Sequence, residues 1–220
     1  MQHSVGPTND WGAQVAYVRA SERRRQFVDA ARSVLSREGV AGTTLRAVAT
    51  EAQVSVGTLY YIFPAKEQMI TAVLEDVREE VAAVFEAADV GAGLGQAIRH
   101  GLDSYWKQLV VNDPRLALMR HELFAYALRT PGQEHLARWQ IEAYTRIVAQ
   151  WCQRAASNAG EVCAVPFDNL ARALVGGVMG TVLEYLSDQD ATRSQRDLHT
   201  LMDMLVALAA PCPAPTTPSA

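Results

Sequence analysis

The sequence is short of several things that would have fixed its function at once. Cysteine is scarce: Cys152, Cys163 and Cys212 are the whole complement, an odd number with no CxxC spacing and no histidine cluster beside them. That argues against a disulfide framework and the common zinc spacings, and leaves reduced thiols used for packing as the expectation. No long hydrophobic run goes uninterrupted. The longest, Leu170 to Leu186, carries Arg172 and Glu184 and is marginal for a membrane span. The start of the chain shows no basic-then-apolar signal pattern. These absences together predict a cytoplasmic protein with no membrane partner. Catalytic signatures are missing as well. There is no nucleophile elbow, phosphate loop or dinucleotide fingerprint, and His121-Glu122 does not open an HExxH zinc motif because position 125 is alanine. The expectation is a protein that is not an enzyme and needs neither metal nor cofactor.

Nor is there an overall excess of positive charge. The 220 residues carry a formal net charge of −4, with a sequence pI near 5.7, which argues against a uniformly basic nucleic-acid binder. The charge is unevenly spread, however. Residues 1–66 hold eight Lys or Arg against five acids, and the remainder twelve against nineteen. A mildly cationic head on an anionic body confines attraction to phosphate to one end.

What the chain does have is helical periodicity, with no stretch that alternates convincingly as a strand. Residues 1–20 mix Gly, Pro, Asn and Ser and read mostly as a loose tail, and residues 211–220, PCPAPTTPSA, read as a second one. A first helix fits Ser21 to Glu38, with Phe27, Ala31, Val34 and Leu35 on one face and Gly39 to close it. A second starts near Thr43 or Thr44, and a third runs from Ser55 to just before Pro64. A fourth spans about Ala65 to Ala88, and another is lined by Ile98, Leu102, Tyr105, Trp106 and Leu109. Asp113-Pro114 pairs a cap with proline at the first helical position, and Thr130-Pro131 is read as the same signal for a long helix ending at Asn158-Ala159-Gly160. Phe167–Leu186 and Ala191–Ala209 complete the set. The prediction is an all-α protein: three short helices, then a bundle of five or six longer ones.

The informative segment is TTLRAVATEAQVSVGTLYYIFPAK, Thr43 to Lys66. Two short helices around a turn at Gln53-Val54 have the length and pattern of a helix-turn-helix, whose second helix lies in the major groove of DNA. Val54, Leu59 and Phe63 face inward on this reading. Ser55, Val56, Gly57, Thr58, Tyr60 and Tyr61 face outward, which suits DNA better than solvent. Ser55 would cap a helix start whose free N–H groups can meet phosphate. The tyrosine hydroxyls can bond phosphate while their rings cover sugar or a thymine methyl. Two neighbouring tyrosines plus Phe63 cannot all face one narrow core at about 100° per residue.

VSVGTLYYIFPAKEQMI, behind an amphipathic helix, a glycine and T-T-L-R, resembles the recognition helix and the start of helix 4 in the TetR family of transcriptional regulators; the match covers roughly Arg24 to Ile70. The resemblance implies that Thr44 and Arg46 touch DNA from the start of the second helix. It makes Val56, Gly57, Thr58 and Tyr61 base- or backbone-contacting positions, and Tyr60 and Lys66 phosphate contacts. Gln53 departs from the glycine common in that turn, and Ile62 from a position often polar. The resemblance further implies a repressor that binds a palindromic double-stranded DNA operator as a homodimer and is released by a small-molecule effector. Residues 21–66 would be the DNA-binding domain and 67–210 the domain for ligand binding and dimerisation. Gly176, Gly177 and Gly180, each costing roughly 1 kcal/mol mid-helix, suggest close helix approach at the dimer interface. An effector pocket could be built from Trp106, His121, Phe124, Tyr126 and Tyr144. An activator, or a small-molecule-binding protein without effector-driven release, remains open at this point.

Overall fold

The computed structural model describes residues 11–214, with side chains from Ser21 onward. The terminal stretches 1–10 and 215–220, expected as tails, lie outside the described residues. The chain divides into two compact units, one ending at Val73 and the other beginning at Leu74.

The first unit holds α1 (Trp11–Gly42), α2 (Leu45–Glu51), α3 (Val56–Ile62) and the first turns of α4 (Lys66–Ala87). Helix α1 begins at Trp11 rather than Ser21, because Trp11 to Ala20 contains no proline and several good helix formers. Its regular path breaks at Gly39 (φ 70°), where the closing glycine was expected. Thr43 then donates its Oγ1 hydrogen to the Gly39 carbonyl at 2.7 Å, turning the chain towards α2. Phe27, Val34, Leu35, Val48, Leu59 and Phe63 are buried as the small core that fixes α3. The Arg24 guanidinium lies 5.7 Å above the Phe63 ring, a cation–π contact.

The second unit takes the rest of α4, then α5 (Leu94–Trp106), a π-helical segment (Lys107–Val111), α6 (Pro114–Arg129), α7 (Glu134–Ala159), α8 (Phe167–Asp188) and α9 (Ala191–Ala209). Trp151 is fully buried at its centre, edge-on to Phe85 at 5.1 Å. Gly101 of α5 passes beneath that indole: a Cβ there would sit 2.5 Å from the ring, so only glycine lets the two helices close. Asp113 caps α6 as expected, accepting from the N–H groups of Arg115 and Leu116.

Three further details differ from the sequence reading. Thr130 ends α6 rather than opening α7, because Gly132 takes φ 84° and holds Pro131 in a turn; α7 starts at Glu134 without a side-chain cap. Residues Cys212 to Ala214 are paired rather than loose. Two short strands, β1 (Glu161–Val162) and β2 (Cys212–Pro213), run antiparallel, with Val162 opposite Cys212, and Ala214 donates its N–H to the Gly160 carbonyl at 2.8 Å. This pairing also places Glu161 so that its carboxylate accepts from the Leu94 N–H at 2.7 Å, capping α5 where Gly93 has no side chain to do so. The third difference, the π-helical segment, shapes the second half of the site below.

Candidate functional site

The head presents a surface built by two caps. Thr44 accepts from the Ala47 N–H at 3.1 Å and starts α2, leaving Arg46 exposed between the buried Leu45 and Val48. Ser55 accepts from the Thr58 N–H at 3.2 Å and starts α3, and its hydroxyl lies 2.8 Å from that of Thr58. Between the two helices Gln53 takes φ 56°, the left-handed turn where glycine would be at ease, at a cost of about 1 kcal/mol. Leu59 and Phe63 point into the core, so the helical period sends Tyr60 and Tyr61 outward. Tyr61 is 85% exposed and Tyr60 49%, a wasteful placement for two aromatics unless something covers them. Gly57 is exposed, Val56 and Thr58 half-buried. No acidic residue occurs from Ala52 through Lys66. Glu51, just before that stretch, is held below the usual carboxylate range by the Ser33 hydroxyl and then by Arg37. Lys66 is half-buried and donates from Nζ to the Val40 carbonyl, which anchors the start of α4 and leaves two of its three donors for other acceptors.

The bundle contains a cavity of about 40 Å³, whose walls include Val81, Phe85, Leu102, Tyr105, Tyr144 and Met179. Of the five residues expected to build a pocket, Tyr144 reaches it. Trp106 is buried instead against Tyr185, ring centroids 5.5 Å apart. His121, Phe124 and Tyr126 lie to the side, because α6 turns Ala117, Met119, Arg120, Leu123 and Ala127 inward. His121 donates from Nδ1 to the carbonyl of Ala117 on its own helix. Burial pushes the Tyr144 phenol up to about 12 and raises that of Tyr105, so both stay protonated near neutrality.

Beside the two phenols is a buried arginine that the sequence reading missed. Arg120 donates from Nη2 to Glu80 of α4 at 2.8 Å and from Nη1 to the Leu109 carbonyl. That carbonyl belongs to the π-helical segment, where one residue too many per turn takes Leu109 out of the regular α-helical pattern. One guanidinium therefore joins α4, the π segment and α6.

Residues 27–73 match the model of the bacterial regulatory proteins of the tetR family. The head of the chain thus carries the DNA-binding region of that family's model. Along most of its length it is also similar to the nicotine-responsive transcriptional repressor HdnoR of Paenarthrobacter nicotinovorans, 27% identical over 83% of this chain and 93% of that one. Among solved structures it resembles the multidrug binding protein EbrR in complex with ethidium, with a TM-score of 0.63, 26% identity and coverage of 85% of this chain and 98% of that one. Salmonella enterica GusR shares the fold at a TM-score of 0.70 and 22% identity, over 86% of this chain and 96% of that one.

In the bundle the three glycines of α8 differ in what they face. Gly177 packs against α9 of the same chain, where a Cβ would lie 2.6 Å from Leu201, so its close approach is internal and not evidence of a partner. Gly176 and Gly180 look into open space on the outer side. On the same helix Leu183 is 52% exposed, and on α9 Met204 and Leu208 are 64% and 41% exposed. The sequence signal for this face was the glycine pair, and the exposed apolar side chains add to it. Cys152 is buried in the core, Cys163 half-buried and Cys212 exposed, all as free thiols, and burial pushes the Cys152 thiol up to about 12, the setting of an inert packing residue.

Proposed function

We propose that this chain is a transcriptional repressor that grips a palindromic DNA operator as a homodimer and lets go when a small, largely apolar molecule enters its bundle. The observation that carries the reading is the exposed pair Tyr60 and Tyr61 on a capped, acid-free helix. Val56, Gly57, Thr58 and Tyr61 are assigned to bases and nearby backbone. Thr44, Arg46, Ser55, Tyr60 and Lys66 are assigned to phosphate and sugar, which fix register without reading sequence. The similarity to a named repressor along most of the chain supports the direction of control. Selection of bound duplexes from a random pool is expected to return an inverted repeat with half-sites about one helical turn apart, roughly 34–36 Å. The Lys66→Ala variant should bind the selected site with a salt dependence shallower by about one charge per head. Failure to enrich any repeat would overturn the reading.

A second copy is proposed to cover the outer face of α8 and α9. Leu183, Met204 and Leu208 supply apolar area there, and Gly176 and Gly180 let a partner helix come close. Because a Cβ at Gly180 meets nothing within 4 Å, leucine at that position fits the single chain and obstructs only a partner. Gly180→Leu is therefore expected to give a folded monomer by light scattering at micromolar concentration, with helicity unchanged. A wild-type monomer at that concentration, or a Gly180→Leu dimer, would remove this interface.

Release follows if the effector binds the DNA-free arrangement better than the DNA-bound one. A tenfold loss of operator affinity needs about 1.4 kcal/mol of coupling, and DNA must weaken the effector by the same factor. The chain passes from the head into the bundle within α4, which contributes Val81 and Phe85 to the cavity wall, so a change in the cavity bears on that helix directly. At about 40 Å³ the cavity has room for little more than one water, so the effector must displace wall side chains. Met179, unbranched and adaptable, is the wall residue best able to yield.

A further inference from the structure

The cavity is apolar on most sides and polar at one corner, where Tyr105 and Tyr144 meet it. Gln140, only 4% exposed, donates from Nε2 to the Tyr144 hydroxyl oxygen at 3.0 Å. That contact uses the phenol as an acceptor and leaves its own hydrogen to be given away. Gln140 Oε1 is buried and meets no partner, and neither does Nε of Arg120, itself 6% exposed. Gln140 and Arg120 do not line the cavity themselves; the capacity that reaches it is the Tyr144 hydroxyl hydrogen. Because buried polar groups in native proteins are paired in the large majority, that donor points to something that occupies the cavity. The full charges beside this corner are already matched to each other, Glu80 with Arg120 at 2.8 Å. The wall itself carries no carboxylate, ammonium or guanidinium. An effector with a formal charge would lose its hydration and find no counter-charge left for it. An effector with no polar atom would leave the Tyr144 hydrogen unsatisfied.

We infer that the effector is a neutral molecule with an apolar frame and one hydroxyl or carbonyl oxygen, and that this oxygen accepts the Tyr144 hydroxyl hydrogen. The inference rests on the effector-cavity reading above and narrows it. Gln140 acts as a positioning residue: by donating to the phenol oxygen, it turns the phenol hydrogen away from itself and towards the cavity. Tyr105 offers a second hydroxyl to a ligand oxygen that can also donate.

Four probes of one skeleton separate the possibilities: 2-phenylethanol, phenylacetate, 2-phenylethylamine and ethylbenzene, titrated into the full-length protein at pH 7 by calorimetry, with thermal unfolding as a second readout. The neutral alcohol is expected to bind about tenfold more tightly than either ion, because neither ion finds a counter-charge. It should bind about three- to tenfold more tightly than ethylbenzene, the value of one buried hydrogen bond. In Tyr144→Phe the alcohol should fall to the affinity of ethylbenzene, and Gln140→Leu should lower its advantage if the phenylalanine variant does not fold. Phenylacetate or 2-phenylethylamine binding as tightly as the alcohol would overturn the inference and leave the effector cavity standing. Equal binding of alcohol and ethylbenzene, or an advantage that survives loss of the Tyr144 hydroxyl, would overturn it as well. Binding of none of the four at millimolar concentration would overturn the cavity reading and the inference together.

Discussion

Replacing Tyr61 by alanine is expected to weaken the operator complex by roughly 2–6 kcal/mol while leaving the protein as stable as before. The range comes from counting. One good base-reading contact is worth about 1–3 kcal/mol, and a symmetric dimer on a palindrome uses each contact twice. Folding should be untouched because Tyr61 is 85% exposed and contributes little to the head's core. The same substitution at Leu59, on the opposite face of α3 and fully buried, would instead unfold the head, and so distinguishes a reading residue from a packing one. Anisotropy titration on the selected operator, alongside thermal melts of the free protein, measures both quantities. Wild-type affinity in Tyr61→Ala would show that the outward face of α3 is not the reading face. Unselective weakening on every duplex alike would move Tyr61 into the phosphate-contacting group with Tyr60 and Lys66.

The head was legible in the sequence because its determinants are local. Thr44 and Ser55 cap within three residues of themselves, and Leu59 and Phe63 are spaced to share one helix face, so the exposure of Tyr60 and Tyr61 follows from the period alone. The bundle was legible in its helices and much less so in its interior. Thr130-Pro131 carries the same letters a helix start would, and only the backbone of Gly132 shows that it is a turn. The two-residue strands are too short for any alternation to register, and their pairing partners lie about fifty residues apart. The π-helical segment leaves its trace in the adjacent burial of Leu109 and Val110, which a regular α-helix with one apolar face need not produce. His121, Phe124 and Tyr126, three of the five expected effector contacts, lie on α6, but which face of α6 turns inward depends on its neighbours and not on its own composition. Arg120 is not legible as a core residue from sequence, because arginine is expected on the surface and a buried one is recognised only with its partners in view.

Substituting Arg120 with methionine is expected to cost about 3–5 kcal/mol of stability, although methionine has a similar length and is more apolar. The loss has two sources. Glu80, a partly buried carboxylate, loses its ion pair with Arg120, and the Leu109 carbonyl in the π-helical segment loses the Arg120 donor. The pair's own net value is a separate matter, because bringing two charges out of water offsets much of their attraction. The double variant Glu80→Met/Arg120→Met should therefore be more stable than Arg120→Met alone, by about 1–3 kcal/mol, since it also removes the partly buried carboxylate that faced the guanidinium. Urea unfolding followed by tryptophan fluorescence suits the test, because Trp106, Trp139 and Trp151 all lie in the bundle. A single variant within about 0.5 kcal/mol of wild type would show that the guanidinium is incidental to the bundle. Strict additivity of the two substitutions would show that Glu80 and Arg120 do not sense each other, and the tie between α4 and the π segment would then have to be sought in apolar packing.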